Sequence, residues 1–165
     1  MRLGIATDSQ DIDGEIVSQQ DASGITREQL DAEFAKWRGD LMQLPPMVSA
    51  IKKNGVPLYK LARKGEVVEL APRPVRVTGF EITRIALPEI DFTVNCSKGF
   101  YVRTYAHDIG ENLGCGGHLS ALRRTRSGKF TLDRAVPVAD LKTTPREDLV
   151  RAMVSLAEIS LMRGA

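Results

Sequence analysis

At 165 residues with 42% hydrophobic side chains, the chain has the length of one ordinary domain and enough apolar material for a core. No apolar run approaches the ~20 residues of a membrane span, and the first residues lack the basic, apolar, small order of a secretory signal, so a soluble cytoplasmic protein is expected. The net charge of +2 hides an uneven distribution: residues 1–40 carry four basic and nine acidic side chains, residues 41–80 seven and two, and residues 98–130 six and two, which suits a polyanionic partner.

In chain order, residues 1–20 offer a short apolar stretch, acids around Gly14 and then Ile16-Val17, the pattern of a strand, a turn and a second strand. Thr26 and Gln29 stand in capping-box spacing. Leu30, Phe34 and Trp37 follow at i, i+4 and i+7 until Gly39, which predicts an amphipathic helix with Trp37 in the core. Pro45-Pro46 cannot continue a helix, and the stretch to Gly65 carries Asn54-Gly55 and five basic residues, so a long irregular excursion is expected. Within it, Pro57 suits the start of a short helix through Leu58 and Ala62, stopped by Gly65.

Strands are predicted at Val67-Val68, at Val75–Val77, at Phe80–Ile82 and over Ile90–Cys96, where apolar and polar residues alternate. Tyr105, Ile109 and Leu113 repeat at helical spacing, Leu119 and Leu122 suggest a second short helix ending near Gly128, and residues 145–161 read as one further helix. Strands followed by packed helices indicate an α+β layer structure with a largely antiparallel sheet. Cys96 and Cys115 are far apart without a CxxC pair, and only His107 and His118 are available to join them, so no metal site is expected.

Three stretches carry a specific resemblance. Residues 96–130, CSKGFYVRTYAHDIGENLGCGGHLSALRRTRSGKF, are similar to the late motif region of the TruB-type tRNA pseudouridine synthases. Residues 43–65, QLPPMVSAIKKNGVPLYKLARKG, resemble that family's RNA-gripping loop, and residues 3–16, LGIATDSQDIDGEI, resemble its LG-x-x-TDT-x-D-x-x-G segment. Ser9 stands in place of the usual threonine and Val48 where a tyrosine is common. The family's nucleophilic aspartate, in a Gly-x-Leu-Asp-Pro-type motif, and a Lys-x-Tyr element lie upstream of the TDT segment and outside these 165 residues. The expectation is therefore an N-terminally truncated chain. Residues 1–142 would form the central and late part of an incomplete pseudouridine synthase domain, with the RNA loop at about 41–74. Residues 143–165 would add a C-terminal helix without a complete C-terminal RNA-binding domain.

The resemblance implies isomerisation of a uridine in the TΨC arm of tRNA: the bond joining uracil to ribose breaks, the base turns, and it is rejoined through carbon. No cofactor and no metal are needed, but an acidic nucleophile and a pocket for an extruded nucleotide are. Arg103 would be the guanidinium that keeps the nucleophile charged. If its segment is extended, Tyr101, two positions earlier, shares its face and contacts the base, while Leu122 closes on the uracil. Lys98 and Gly99 suit a close approach of backbone to the pocket. Lys52, Lys53, Lys60, Arg63 and Lys64 would neutralise phosphates, Tyr59 would stack on an unpaired base, and Arg123, Arg124 and Arg126 would form a second positive cluster. Asp8, Asp11 and Asp13 are assigned to turn chemistry and Asp108 to a structural bond. Two alternatives stand beside a synthase: a non-catalytic RNA-binding fragment, and one half of a split enzyme completed by a second chain that pairs Arg103, which is costly if buried alone.

Overall fold

The computed structural model describes residues 1–66 and 68–163. The chain divides into two units, Met1–Ala121 and Leu122–Ala165. The first unit runs β1 (Arg2–Leu3), β2 (Ile5–Thr7), β3 (Ile16–Gln19), α1 (Arg27–Lys36), β4 (Gly39–Gln43), β5 (Lys52–Lys53), β6 (Val56–Pro57), α2 (Leu58–Ala62), β7 (Arg73–Ala86), β8 (Glu89–Cys96), α3 (Val102–Asn112) and β9 (Gly117–His118). Five strands form an antiparallel sheet in the order β4-β7-β8-β1-β9. Two short hairpins, β2–β3 and β5–β6, stand beside it. This is the α+β, largely antiparallel architecture expected from the alternating residues.

Helix α1 begins where its capping box predicts: the Thr26 hydroxyl accepts from the Gln29 N–H and the Gln29 side chain accepts from the Thr26 N–H. Its Phe34, fully buried, meets Phe80 of β7 at 5.4 Å, Phe92 of β8 at 5.3 Å and Tyr105 of α3 at 5.7 Å between ring centroids. Leu30, Ile82, Ile90, Tyr105 and Ile109 complete the core of both helices against the sheet. Helix α3 lies close to β9 because position 110 is glycine. A Cβ there would come within 2.4 Å of the Gly116 carbonyl carbon and the Gly117 nitrogen.

Several expected elements differ. Val75–Val77 and Phe80–Ile82 belong to one 14-residue strand, whose register shifts against β8 between Val77 and Gly79 and between Ile82 and Arg84 absorb the break in alternation. Strand β4 is an addition to the expected elements: Gly39, with φ +97, follows the end of the helix and at once opens the strand. Val67 of the expected 67–68 strand lies outside the described residues, and Val68 is irregular. No helix forms at Leu119. Its N–H donates to the Gln10 carbonyl and its carbonyl accepts from the Ile12 N–H, which draws it into extended pairing.

In the second unit, β10 (Arg126–Ser127) and β11 (Phe130–Thr131) form a hairpin. Two 3-10 turns, Leu132–Arg134 and Val138–Lys142, lead to α4 (Arg146–Ala152) and α5 (Leu156–Arg163). The single helix expected over 145–161 is two, because Met153 is extended and Ser155 starts a new helix. The Ser155 hydroxyl accepts from the Glu158 N–H, and Glu158 Oε2 accepts from the Ser155 N–H. Among the described residues, no helix is long and apolar enough to cross a membrane.

Candidate active site and nucleic-acid interface

The segment from Thr7 to Glu15 folds into a tight turn. The Asp8 N–H donates to the Glu15 carbonyl, the Glu15 N–H to Asp8 Oδ1, and the Thr7 hydroxyl to the Asp11 carbonyl at 2.7 Å. Gln10, at φ +62, takes the left-handed conformation that disfavours a side chain, and a 2.8 Å bond from the buried Thr104 hydroxyl to its Oε1 holds it there. Asp11 is thereby turned toward α3, with its carboxylate oxygen Oδ2 3.8 Å from Arg103 Nε.

Arg103 is half-buried and joins three segments. Nη2 donates to the Val48 carbonyl at 2.7 Å, Nη1 lies 3.5 Å from the Ser9 carbonyl, and Nε faces Asp11. The expectation of an uncompensated guanidinium is thus corrected: two carbonyl dipoles and one carboxylate of this same chain already surround it. Asp11, assigned to turn chemistry alone, also has this second role.

The extended-strand picture of Tyr101 and Arg103 does not hold. Arg103 lies in the first turn of α3 and Tyr101 is its N-cap residue, with φ −107 and ψ 105. Residues two apart across a helix start do not share a face by strand alternation. The Tyr101 side chain gives α3 no cap. Its backbone is held instead by the buried Gln43, whose Nε2 donates to the Tyr101 carbonyl at 3.0 Å and whose Oε1 accepts from the Tyr101 N–H at 2.8 Å. Nothing in the sequence pattern marked Gln43 beyond its place in the QLPPM motif. Gly99 is needed for its φ of +82 rather than for a close approach, since a Cβ there would meet nothing within 4 Å, and Lys98 is exposed.

The basic excursion folds as a β5–β6 hairpin turning at Asn54 (φ +51) and Gly55 (φ +82), followed directly by α2, as Pro57 and Gly65 predict. Leu58 is fully buried and anchors it, its N–H donating to the Ile51 carbonyl. Lys52, Lys53, Lys60, Arg63 and Lys64 are all exposed, an arrangement suited to phosphates. Lys53 Nζ donates to the Glu69 carbonyl, and the Arg63 guanidinium lies 5.6 Å from the centroid of Tyr59, covering one ring face. Leu122, Arg123, Arg124 and Arg126 belong to the second unit, where all four are exposed. Asp8 and Asp13 are exposed turn residues. No hydrogen bond holds the Asp108 carboxyl among the described residues; burial pushes its pKa up, opposed by His107 and reinforced by Glu111.

The antiparallel sheet with helices packed on it is shared with solved structures. One is described as "Crystal Structure of a Cbf5-Nop10-Gar1 Complex" (TM-score 0.56, 28% identity, 72% of this chain and 31% of that one). Another is described as "Structure of H/ACA RNP bound to a substrate RNA containing 2'-deoxyuridine" (TM-score 0.52, 24% identity, 71% and 29%). Residues 1–102 match the family model for the TruB family pseudouridylate synthase N-terminal domain, and residues 103–161 match that for the tRNA pseudouridylate synthase B C-terminal domain. The chain belongs to the TruB family of pseudouridylate synthases. It is 49% identical over 154 residues to tRNA pseudouridine synthase B of Opitutus terrae, covering 93% of this chain and 64% of that protein. It is 44% identical over 160 residues to the protein of the same name from Francisella philomiragia, covering 96% and 53%. The chain thus spans between about half and two thirds of the length of these relatives.

Proposed function

We propose that the chain is the central and late catalytic portion of a cytoplasmic tRNA pseudouridine synthase that isomerises a uridine in the TΨC arm, with residues 1–142 in the catalytic domain. The observation that carries this reading is Arg103 at the start of α3, held by the Val48 carbonyl of the basic excursion and by Asp11 of the TD-x-x-D turn. A guanidinium fixed on three sides keeps one orientation, and beside a carboxylate in a pocket it favours the ionised, nucleophilic form. In the reaction, the N-glycosidic bond of the uridine breaks, the sugar carbon that leaves N1 is rejoined to C5 of the turned base, C5 gives up its proton, and N1 takes one up, so that no atom is gained or lost overall. The carboxylate that attacks is assigned to the upstream Gly-x-Leu-Asp-Pro-type motif of the family. Asp11 acts as the counter-charge that holds Arg103, Tyr101 and Leu122 are assigned to the base, and no cofactor takes part.

The exposed cations of the excursion, Lys52, Lys53, Lys60, Arg63 and Lys64, neutralise phosphates, and Arg123, Arg124 and Arg126 add a second patch. Tyr59 offers a base the ring face that Arg63 does not cover. Mapping of pseudouridine in a tRNA transcript tests the reading, with the chain alone and with a polypeptide carrying the upstream motif. Pseudouridine in the TΨC arm in either mixture supports it. Tight binding of the transcript with no pseudouridine in both mixtures replaces it with a non-catalytic RNA-binding role.

A further inference from the structure

We propose that Gln43 is a positioning residue that couples the seating of RNA on the basic excursion to the start of α3; the proposal rests on the RNA-modifying reading above. Gln43 is the last residue of β4, immediately before the excursion, and is 3% exposed. Its backbone is already paired in the sheet opposite Arg73, so the strand does not need the side chain. A leucine would fill the same space without the cost of desolvating an amide. The carboxamide instead makes two bonds to one residue, donating to the Tyr101 carbonyl and accepting from the Tyr101 N–H, as a neighbouring strand would. Both amide functions are used, which holds the two peptide groups on either side of the Tyr101 Cα and with them the direction in which α3 begins.

Five residues further along, the Val48 carbonyl accepts from Arg103 Nη2. The root of the excursion therefore touches the first turn of α3 twice, at the two residues assigned to the base and to the nucleophile. A displacement of the root when phosphates bind to the exposed lysines reaches Tyr101 through an amide that has no slack. Only glutamine fits: asparagine is one methylene short, and glutamate loses the donor.

The test uses the full chain, nuclear magnetic resonance of backbone amides and a TΨC-arm stem-loop RNA whose loop uridines are abasic, so that no base contacts Tyr101 directly. In the parent, RNA binding slows hydrogen exchange at the Tyr101 amide by at least about threefold. In Gln43→Leu, the RNA still binds within about threefold of the parent affinity, since the phosphate contacts are untouched, but Tyr101 no longer responds. Gln43→Glu also loses the response at neutral pH and regains it as the pH is lowered, because a protonated carboxyl restores the donor to the Tyr101 carbonyl. A Tyr101 response in both variants equal to that of the parent overturns the proposal. So does a parent that binds the RNA without any response at Tyr101, and in that case the functional reading stands. A parent that does not bind the RNA at all overturns the functional reading and the coupling with it.

Discussion

Glu33 is the buried charge on which the packing of α1 against α3 depends. It is 2% exposed, and its carboxylate accepts from Asn112 Nδ2 at 2.8 Å, from Trp37 Nε1 at 3.0 Å and from Lys36 Nζ at 2.6 Å. Burial alone would raise its pKa, but the three donors outweigh burial and hold it below the ordinary value. The Lys36 side chain is 67% exposed, so that pair adds little. Glu33→Ala removes two charge-assisted bonds of about 1.5 kcal/mol each and one or two buried methylene equivalents of about 0.8 kcal/mol, for a loss of about 4 kcal/mol. Because the folded-state pKa is depressed, this stabilisation is present above the unfolded value of about 4.3 and is lost as the pH falls through the folded pKa. Glu33→Gln keeps the shape but cannot titrate, so the difference in stability between parent and Glu33→Gln shrinks between about pH 5 and pH 3. Urea unfolding followed by circular dichroism at pH 7, 5, 4 and 3 measures both effects. A Glu33→Ala variant within about 0.5 kcal/mol of the parent at pH 7 would show that this carboxylate does not hold the two helices, as would a parent-minus-Gln difference that does not change with pH.

Three further outcomes are expected. Gly110→Ala drives α3 off β9, because its Cβ meets backbone atoms at 2.4 Å that cannot rotate away; a loss of at least about 3 kcal/mol is expected in the same unfolding assay. Burial pushes the Tyr105 phenol above its ordinary pKa, so the folded form resists ionisation. The chain then loses stability as the pH rises past the unfolded value of about 10, and Tyr105→Phe, checked by thermal melts at pH 8 and 10.5, removes that loss. Replacing Lys52 and Lys53 together by alanine weakens binding of a TΨC-arm RNA and lowers the slope of log affinity against log salt by about 1 to 2, read by titration at several salt concentrations.

The elements most legible in the sequence were those whose signals are local. The Thr26–Gln29 box, the alternation over residues 90–96 and the Pro57 and Gly65 limits of α2 each act within a few residues, and each appears where expected. The failures came where distant backbone decided. Leu119 pairs with residues 10 and 12 instead of entering a helix, and β4 exists because β7 offers it a ladder from Gly39 to Gln43. The same holds at the site. Arg103 was identifiable from its motif, but its three acceptors lie 92, 94 and 55 positions away, and no periodicity encodes such contacts. Asp11 was visible as a turn residue in its motif but not as a partner of Arg103, and Gln43 only through its place in the QLPPM stretch, because a buried amide that binds backbone leaves no pattern of its own.

The role proposed for Arg103, fixed by Asp11 and the Val48 carbonyl, is to serve isomerisation of an RNA uridine. The direct measurement is the yield of pseudouridine in a tRNA transcript, read by mass mapping after chemical labelling, for the parent and for Arg103→Lys, each supplemented with the polypeptide carrying the upstream aspartate motif. Pseudouridine in the TΨC arm is expected with the parent, and a yield lower by at least about 100-fold with Arg103→Lys, because an ammonium cannot hold three acceptors in one plane. Equal yields from the two chains, with Arg103→Lys folded and bound to the transcript, would contradict it.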